Sequence, residues 1–239
     1  MASGARSALP LPVPVPLAKG RPGAGYPYAW SVYPWLGGEP ASAGRIADPV
    51  RFAVDLAGFL TALRGIDPAG GPRPGKHNWF RGGTLRTYDG EVGDALAKLG
   101  SYVDAGLARE IWKSALDARW DGAESWFHGD VAAGSLLLGD GQLAGVIDFG
   151  TCGGGDPACD LAVAWTLLTA EGRQAFRGRL PAGKAEWARG RGWALWKTLA
   201  TCACTLGDDA ENAAGARRVL GEIFAEHAAG GSAAQPATG

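Results

Sequence analysis

Two aspartates in the middle of the chain stand in motifs that suit phosphoryl transfer. Asp130 follows His128 and Gly129, and Asp148 is the second residue of the segment Ile-Asp-Phe-Gly at residues 147–150. Phosphoryl transfer needs one carboxylate to orient or deprotonate the attacking hydroxyl and another to hold Mg²⁺ against the phosphates. We therefore expect the two aspartates to face a single site.

Either motif alone is a weak signal, because aspartate beside glycine is common in ordinary turns. Here the two motifs occur together and are followed by Gly155-Asp156-Pro157 and, three residues later, by Asp160. The combination favours a catalytic segment over a series of turns.

The elements that must position these aspartates can be predicted from local patterns. Residues 125–128 read as a short strand, and residues 136–138 and 143–149 flank the turn Gly139-Asp140-Gly141, which is typical of a β-hairpin. Apolar residues at helical spacing predict helices over about residues 48–63, 104–119, 156–168, 185–203 and 208–227. Asp-Pro at residues 48–49 and 156–157 is a typical helix start. Helices, a small hairpin and more helices indicate an α+β fold with a mainly helical lobe.

The first 40 residues have a different composition. Residues 9–17 alternate with proline and must be extended, and the aromatic segment 30–36 predicts one strand that Pro34 places at an edge or ends. Such strands cannot bury a core alone. We therefore divide the chain into residues 1–40, a helical catalytic lobe over 41–229, and a disordered tail over 230–239.

The motifs resemble those of the aminoglycoside phosphotransferase family, whose fold is protein-kinase-like. The likeness rests on residues 128–130, 147–150 and 155–161, and it extends to residues 27–39, 78–82 and 189–194. Together these stretches span nearly all of residues 10–226. The resemblance implies a helical C-terminal lobe with a catalytic β-hairpin and only a remnant of the N-terminal β lobe.

The resemblance also implies roles for individual residues. Asp130 would be the catalytic base and Asp148 the principal Mg²⁺ ligand. Backbone groups around Trp35, Leu36 and Gly37 would meet the adenine of ATP.

Three further residues would support the site by the same resemblance. His128 would orient the catalytic loop, Asp156 would cap its helix, and Asp160 would buttress the loop. The acidic groups near the cleft are also candidates for attracting a cationic acceptor.

Two departures from the family pattern bear on activity. Ser135 stands where the family has asparagine as second metal ligand, and its shorter side chain is expected to weaken Mg²⁺ binding. The family's phosphate-covering loop and strand lysine would have to precede Leu9. Lys19 reads as part of a proline- and glycine-rich loop and is a poor substitute.

Composition argues against several other classes of protein. A formal net charge of -1 provides no basic field for nucleic acid, and no window approaches 18 uninterrupted apolar residues, so we expect no membrane partner. No secretory signal is visible, which indicates a cytoplasmic protein with free thiols. Residues 70–76 match a GxxxxGK pattern, but His77 stands where the phosphate loop needs Ser or Thr. No residue pattern indicates an oligomeric state.

The sequence thus predicts an ATP- and Mg²⁺-dependent phosphotransferase that acts on a hydroxyl of an aminoglycoside or similar small molecule. An alternative is a truncated, catalytically impaired relative that binds a ligand or partner without turnover, as the residue at position 135 suggests. A metal-dependent phosphohydrolase using the same two aspartates is a third reading, which no His/Asp metal cluster supports.

Overall fold

The computed structural model describes residues 9–206 and 210–232 of the chain. Its strands are β1 (Ala18–Gly20), β2 (Trp30–Val32), β3 (Glu39–Pro40), β4 (Ser125–Phe127), β5 (Leu136–Gly139), β6 (Gln142–Val146) and β7 (Gly153–Gly155). Its α-helices are α1 (Pro49–Arg64), α2 (Asp89–Leu99), α3 (Ala105–Asp117), α4 (Val163–Thr166), α5 (Ala170–Arg179), α6 (Lys184–Cys204) and α7 (Ala210–Ser232). Short 3₁₀ helices lie at Lys76–Asn78, Leu85–Tyr88, Gly100–Tyr102, Ala133–Ser135, Phe149–Thr151 and Pro157–Ala162.

The helical part is built around α6, which packs against α2, α3, α7 and the 3₁₀ helix at Pro157–Ala162. Large apolar side chains along α6, including Trp187, Leu195 and Leu199, are almost completely buried. A helix that is apolar on most of its circumference must be covered on several sides. This explains why α6 lies at the centre of the lobe.

The helix start at Asp48 was predicted correctly. The Asp48 carboxylate accepts a hydrogen bond from the backbone N–H of Arg51, and Pro49 is the first helical residue. The apolar face of α1 is fully buried, with Phe52, Phe59 and Leu63 at 0% exposure. This face packs on α5 and on β4, the strand that precedes Asp130.

The predicted hairpin is formed by β5 and β6, which pair in antiparallel fashion. Asp140 and Gly141 at its turn both have positive φ, as a tight two-residue hairpin turn requires. Strand β3 pairs with the outer edge of β5, and the N–H of Val146 donates to the carbonyl of Pro12. The hairpin is therefore flanked on both edges by the N-terminal segment.

The N-terminal segment differs in two places from the prediction. Strand β2 ends at Val32, two residues before Pro34, which has no N–H to donate to a ladder, so residues 33–36 lie outside the predicted strand. Lys19 lies on β1, opposite Ser31 of β2, and not in a loop as predicted. The predicted division of the chain at residue 40 stays a prediction.

Two helices, α2 and α5, were not predicted. Helix α2 has a buried apolar stripe that includes Val92, Leu96 and Leu99, but it also contains Gly90 and Gly93. Helix α5 has the strongly polar sequence Ala-Glu-Gly-Arg-Gln-Ala-Phe-Arg-Gly-Arg. Glycine lowers the intrinsic helix preference of both segments. Tertiary packing and the cap of α5, where the Thr169 hydroxyl accepts from the N–H of Gly172, compensate for this weak local preference.

At the C-terminal end, residues 230–232 are the last residues of α7, although they were expected in the tail. The rest of that predicted tail, residues 233–239, lies outside the described residues.

The cysteines Cys152, Cys159, Cys202 and Cys204 are all free, and Cys204 is exposed. Among the described residues, no helix is long and apolar enough to cross a membrane.

We expect Asp48→Ala to lower the free energy of unfolding by about 1 kcal/mol, because it removes the cap of α1. Asp55 is a matched control, since its carboxylate pairs with the side chain of the same Arg51 on the helix surface. Asp55→Ala should cost no more than about 0.5 kcal/mol. Urea unfolding of the two variants measures the difference, and equal losses would contradict a capping role.

Candidate active site

Asp130 lies at the end of a loop that is held by a buried carboxylate. One oxygen of Asp160 accepts the backbone N–H of His128 at 2.8 Å, and the other accepts the N–H of Gly129 at 2.7 Å. Asp160 is only 1% exposed. Burial raises the pKa of its carboxyl, while neighbouring His128 and the two N–H donors act in the opposite direction.

The loop needs glycine at position 129. Gly129 has φ +88°, and a Cβ there would lie 2.7 Å from the carbonyl oxygen of Thr151. The Thr151 hydroxyl in turn donates to the carbonyl of His128 at 3.0 Å. Close approach to the segment after Asp148 thus fixes the backbone just before Asp130.

The His128 side chain joins the two aspartate motifs. Its Nδ1 accepts the N–H of Asp130 at 3.3 Å, and its Nε2 lies 2.8 Å from the carbonyl of Ile147. An imidazole protonated at Nε2 satisfies both bonds. The ring also stacks on Phe149 with a centroid distance of 4.6 Å. Because the ring is fully buried and both its nitrogens are engaged, His128 is placed to support the loop and not to act as a nucleophile.

Asp148 follows the hairpin and is exposed to solvent. Its backbone is left-handed, with φ 64° and ψ 59°, a conformation that residues with a Cβ seldom adopt. Such strain persists only where the surroundings impose it, and it is common at functional sites. Here the bonds made by Ile147 and the stacking of Phe149 hold the residues on both sides.

The hairpin brings the backbone of Ser135 opposite Ile147, the residue before Asp148, and the Ser135 side chain is buried. The N–H of Ile147 donates to the carbonyl of Ser135 at 2.9 Å. One carboxylate and one hydroxyl form a donor set that Mg²⁺ can use together with phosphate oxygens and water. No cluster of three or more His, Cys, Asp or Glu side chains that could hold a metal exists within residues 9–206 and 210–232.

A cavity of about 680 Å³ opens beside Asp148. Residues of the N-terminal segment form one wall, including Trp35, Leu36 and Gly38, and residues 147–150 form the other. Gly37, expected to meet the adenine, is not among the lining residues, whereas Val13 and Pro14 are. Trp35 is 92% exposed, so its ring covers little of the cavity.

Asp156 and Asp160 lie too deep to attract an acceptor. Asp156 caps the helix that begins at Pro157, through the N–H of Ala158, and makes a bidentate ion pair with Arg189 at 2.6 and 3.1 Å. Both carboxylates are almost fully buried. Their charges are engaged inside the protein, so their positions do not favour a role in attracting a cationic acceptor, and that expectation stays a prediction.

Two basic residues near Asp130 were not predicted. Lys197 of α6 places its ammonium 2.5 Å from Oδ1 of Asp130, and Arg81 lines the same small cleft. Lys197 lies four residues after Trp193 and eight after Arg189, so helical periodicity places all three on one face. Its spacing from residues 189–194 is therefore the sequence signal for a lysine near Asp130.

Arg81 belongs to a loop that lies directly on β7. The N–H of Gly154 donates to the carbonyl of Pro72, and the N–H of Asp156 donates to the carbonyl of Gly82. Cβ atoms at Gly153 and Gly155 would collide with the carbonyls of Pro72 and Gly82 at 2.3 and 2.5 Å. Strand β7 is made of glycine because this backbone lies against it.

The sequence model of the phosphotransferase enzyme family matches residues 4–193 of the chain. The chain belongs to this family. Its resemblance to aminoglycoside phosphotransferases, first seen in residues 128–130, 147–150 and 155–161, is confirmed. No curated protein matches the chain significantly.

Solved structures of other phosphotransferases share the fold. The GDP complex of wild-type aminoglycoside 2'-phosphotransferase-IIIa has a TM-score of 0.63 at 15% identity and covers 92% of this chain and 78% of its own. The apoenzyme of macrolide 2'-phosphotransferase MphH from Brachybacterium faecium has a TM-score of 0.53 at 21% identity. This match covers 91% of this chain and 76% of MphH. A streptomycin–ATP ternary complex of APH(2")-IIa has a TM-score of 0.53 at 16% identity. This match covers 90% of this chain and 77% of APH(2")-IIa.

At such low identities the likeness shows the fold alone. The phosphotransferase therefore has the protein-kinase-like α+β architecture that its sequence predicts. In this fold the two aspartate motifs meet through His128.

We expect Asp160→Asn to lower the free energy of unfolding by about 1–3 kcal/mol. The amide nitrogen of asparagine would replace one carboxylate oxygen, and it cannot accept the backbone N–H that this oxygen now binds. Asp121→Asn is the control: Asp121 is exposed and caps a turn through the N–H of Ala123, a role that asparagine can fill. Thermal and urea unfolding measure both. A loss at position 160 no greater than at 121 would show that the loop does not depend on the carboxylate.

Proposed function

We propose that this phosphotransferase moves the γ-phosphoryl group of ATP to a hydroxyl of an aminoglycoside or a similar small molecule. The observation that carries the proposal is the cavity beside Asp148, because one connected set of contacts ties its wall to Asp130. That set runs from Ile147 through the His128 ring to the backbone of Asp130. Nucleotide pocket and reacting hydroxyl would thus meet at the two aspartates.

Each residue has a role that its position allows. Asp130 would orient the acceptor hydroxyl and accept its proton, since it is partly exposed at the end of a fixed loop. Asp148 and Ser135 would hold Mg²⁺, which when bound neutralises charge on the phosphates. The backbone around Trp35 and Leu36 would meet the adenine, as the apolar lining of the cavity supports.

Neighbouring structures support the choice of ligands. The described complexes of aminoglycoside phosphotransferases contain GDP, or streptomycin with ATP, and a further neighbour is a macrolide 2'-phosphotransferase. A nucleotide and a hydroxylated antibiotic are therefore the ligands to test first.

We expect the wild-type chain to bind Mg·ATP, and Asp148→Asn to weaken binding by at least roughly tenfold, because it removes the carboxylate ligand. Asparagine tolerates the left-handed backbone at this position, so the change tests charge and not fold. Asp140→Asn is matched, since Asp140 is also a left-handed aspartate but lies in the hairpin turn. Isothermal titration calorimetry measures the Mg·ATP affinity of the wild type and of the two variants. No binding by the wild type would contradict the kinase proposal.

Ser135→Asn should raise the affinity for Mg²⁺ in the presence of ATP, because the amide oxygen reaches farther than the hydroxyl. Ser135→Ala, which leaves no donor, should lower it. Titration of Mg²⁺ at fixed ATP checks both variants, with melting temperatures to confirm folding. Identical affinities in all three chains would remove position 135 from the metal site.

The substitution at position 135 also favours a second candidate, a relative that binds ligands without turnover. Asp130→Asn separates the two. In a kinase this variant should slow ADP formation with a panel of aminoglycosides and macrolides by about 10²–10⁴-fold while Mg·ATP still binds. In a non-turnover protein the wild type itself forms no ADP above the rate in buffer.

A further inference from the structure

The small cleft beside Asp130 has a basic lining. Among the described residues that line it, the charged ones are Arg81, Asp130 and Lys197, so cations outnumber carboxylates. The side chains of Lys197 and Asp130 are 39% and 36% exposed. Their ion pair is therefore open to an incoming acceptor.

Lys197 occupies the carboxylate that an acceptor hydroxyl must reach. Its ammonium lies 2.5 Å from Oδ1 of Asp130. An ammonium of the acceptor placed beside the reacting hydroxyl would approach this cation closely and would compete for the same oxygen. Like charges at such distances repel, and more strongly where the site is partly shielded from water.

The second cation, Arg81, adds to the same field. Its guanidinium lies over the rings of Trp196 and Trp193, 4.6 and 5.6 Å from their centroids. No ion pair of Arg81 with a carboxylate is found in residues 9–206 and 210–232. Its charge is balanced by aromatic faces and not by an acid.

The nearby acidic groups do not restore an anionic surface. Glu91 is exposed and accepts the indole N–H of Trp196 at 2.9 Å, but it is not among the residues that line the cleft. Asp156 and Asp160 are buried, and their oxygens are already hydrogen-bonded. Asp130 is thus the one carboxylate that the described part of this cleft offers.

We propose that Lys197 is a specificity-determining residue, a built-in counter-ion that makes the acceptor a hydroxyl compound without a cationic group beside its reacting oxygen. The inference rests on the proposed function and restricts its acceptors to hydroxyl compounds that carry no ammonium group beside the reacting oxygen. The Lys197 ammonium already pairs with Asp130, so it takes the position that an ammonium group of a polycationic acceptor would otherwise occupy.

The test compares two probes with the same sugar skeleton, kanamycin and its fully N-acetylated form, by calorimetry without nucleotide. Lys197→Gln should bind kanamycin about tenfold more tightly than the wild type, because the repelling cation is gone. Binding of the uncharged probe should change less than about threefold. Lys197→Arg keeps the charge and should behave as the wild type.

Two further variants control for trivial effects. Lys184→Gln removes an exposed charge from the start of the same helix, roughly 20 Å away, and should leave kanamycin binding unchanged. In the double variant Asp130→Asn/Lys197→Gln the gain should disappear, because no carboxylate is left to attract the ammonium groups.

Equal kanamycin affinity in the wild type and Lys197→Gln, whether measurable or below detection in both, overturns the inference. So does an equal gain in Lys184→Gln. The comparison uses no nucleotide, so failure of Mg·ATP binding would sink the proposed function without changing this result.

Discussion

The carboxylate of Asp160 is the constraint on which the rest of the site depends. It takes the backbone N–H groups of His128 and Gly129 on its two oxygens, inside a region that excludes water. Two donors without an acceptor would be costly to bury, and a lone carboxylate would be costlier still. Each compensates for the other, so the buried carboxylate holds the backbone of the loop before Asp130.

Contacts of this loop also position the residues around Asp148. The His128 ring accepts the N–H of Asp130 and bonds to the carbonyl of Ile147. These bonds hold the residue before Asp148, whose own backbone is left-handed. The buried pair of Asp156 and Arg189 fastens the next segment to α6. Charged groups inside the protein thus serve geometry, whereas Asp148 is exposed and Asp130 is partly exposed and paired with Lys197.

Features formed by residues close together in the sequence could be predicted, whereas contacts between residues far apart in the sequence could not. The motifs at 128–130 and 147–150 and the hairpin between them are local, and turn chemistry and helix caps such as Asp48 are local too. Lys197 meets Asp130 across 67 residues, a contact that only the packing of α6 creates. Helices α2 and α5 carry glycine or many charges, so their own sequences favour helix weakly and tertiary burial decides.

The glycine strand β7 has a mechanical consequence. Its backbone touches the carbonyls of Pro72 and Gly82 without intervening side chains, so the Arg81 loop and the segment after Asp148 cannot slide past one another. A side chain at position 153 or 155 would therefore push the Arg81 loop away from the segment that follows Asp148, and both sides of the cleft would lose their present spacing.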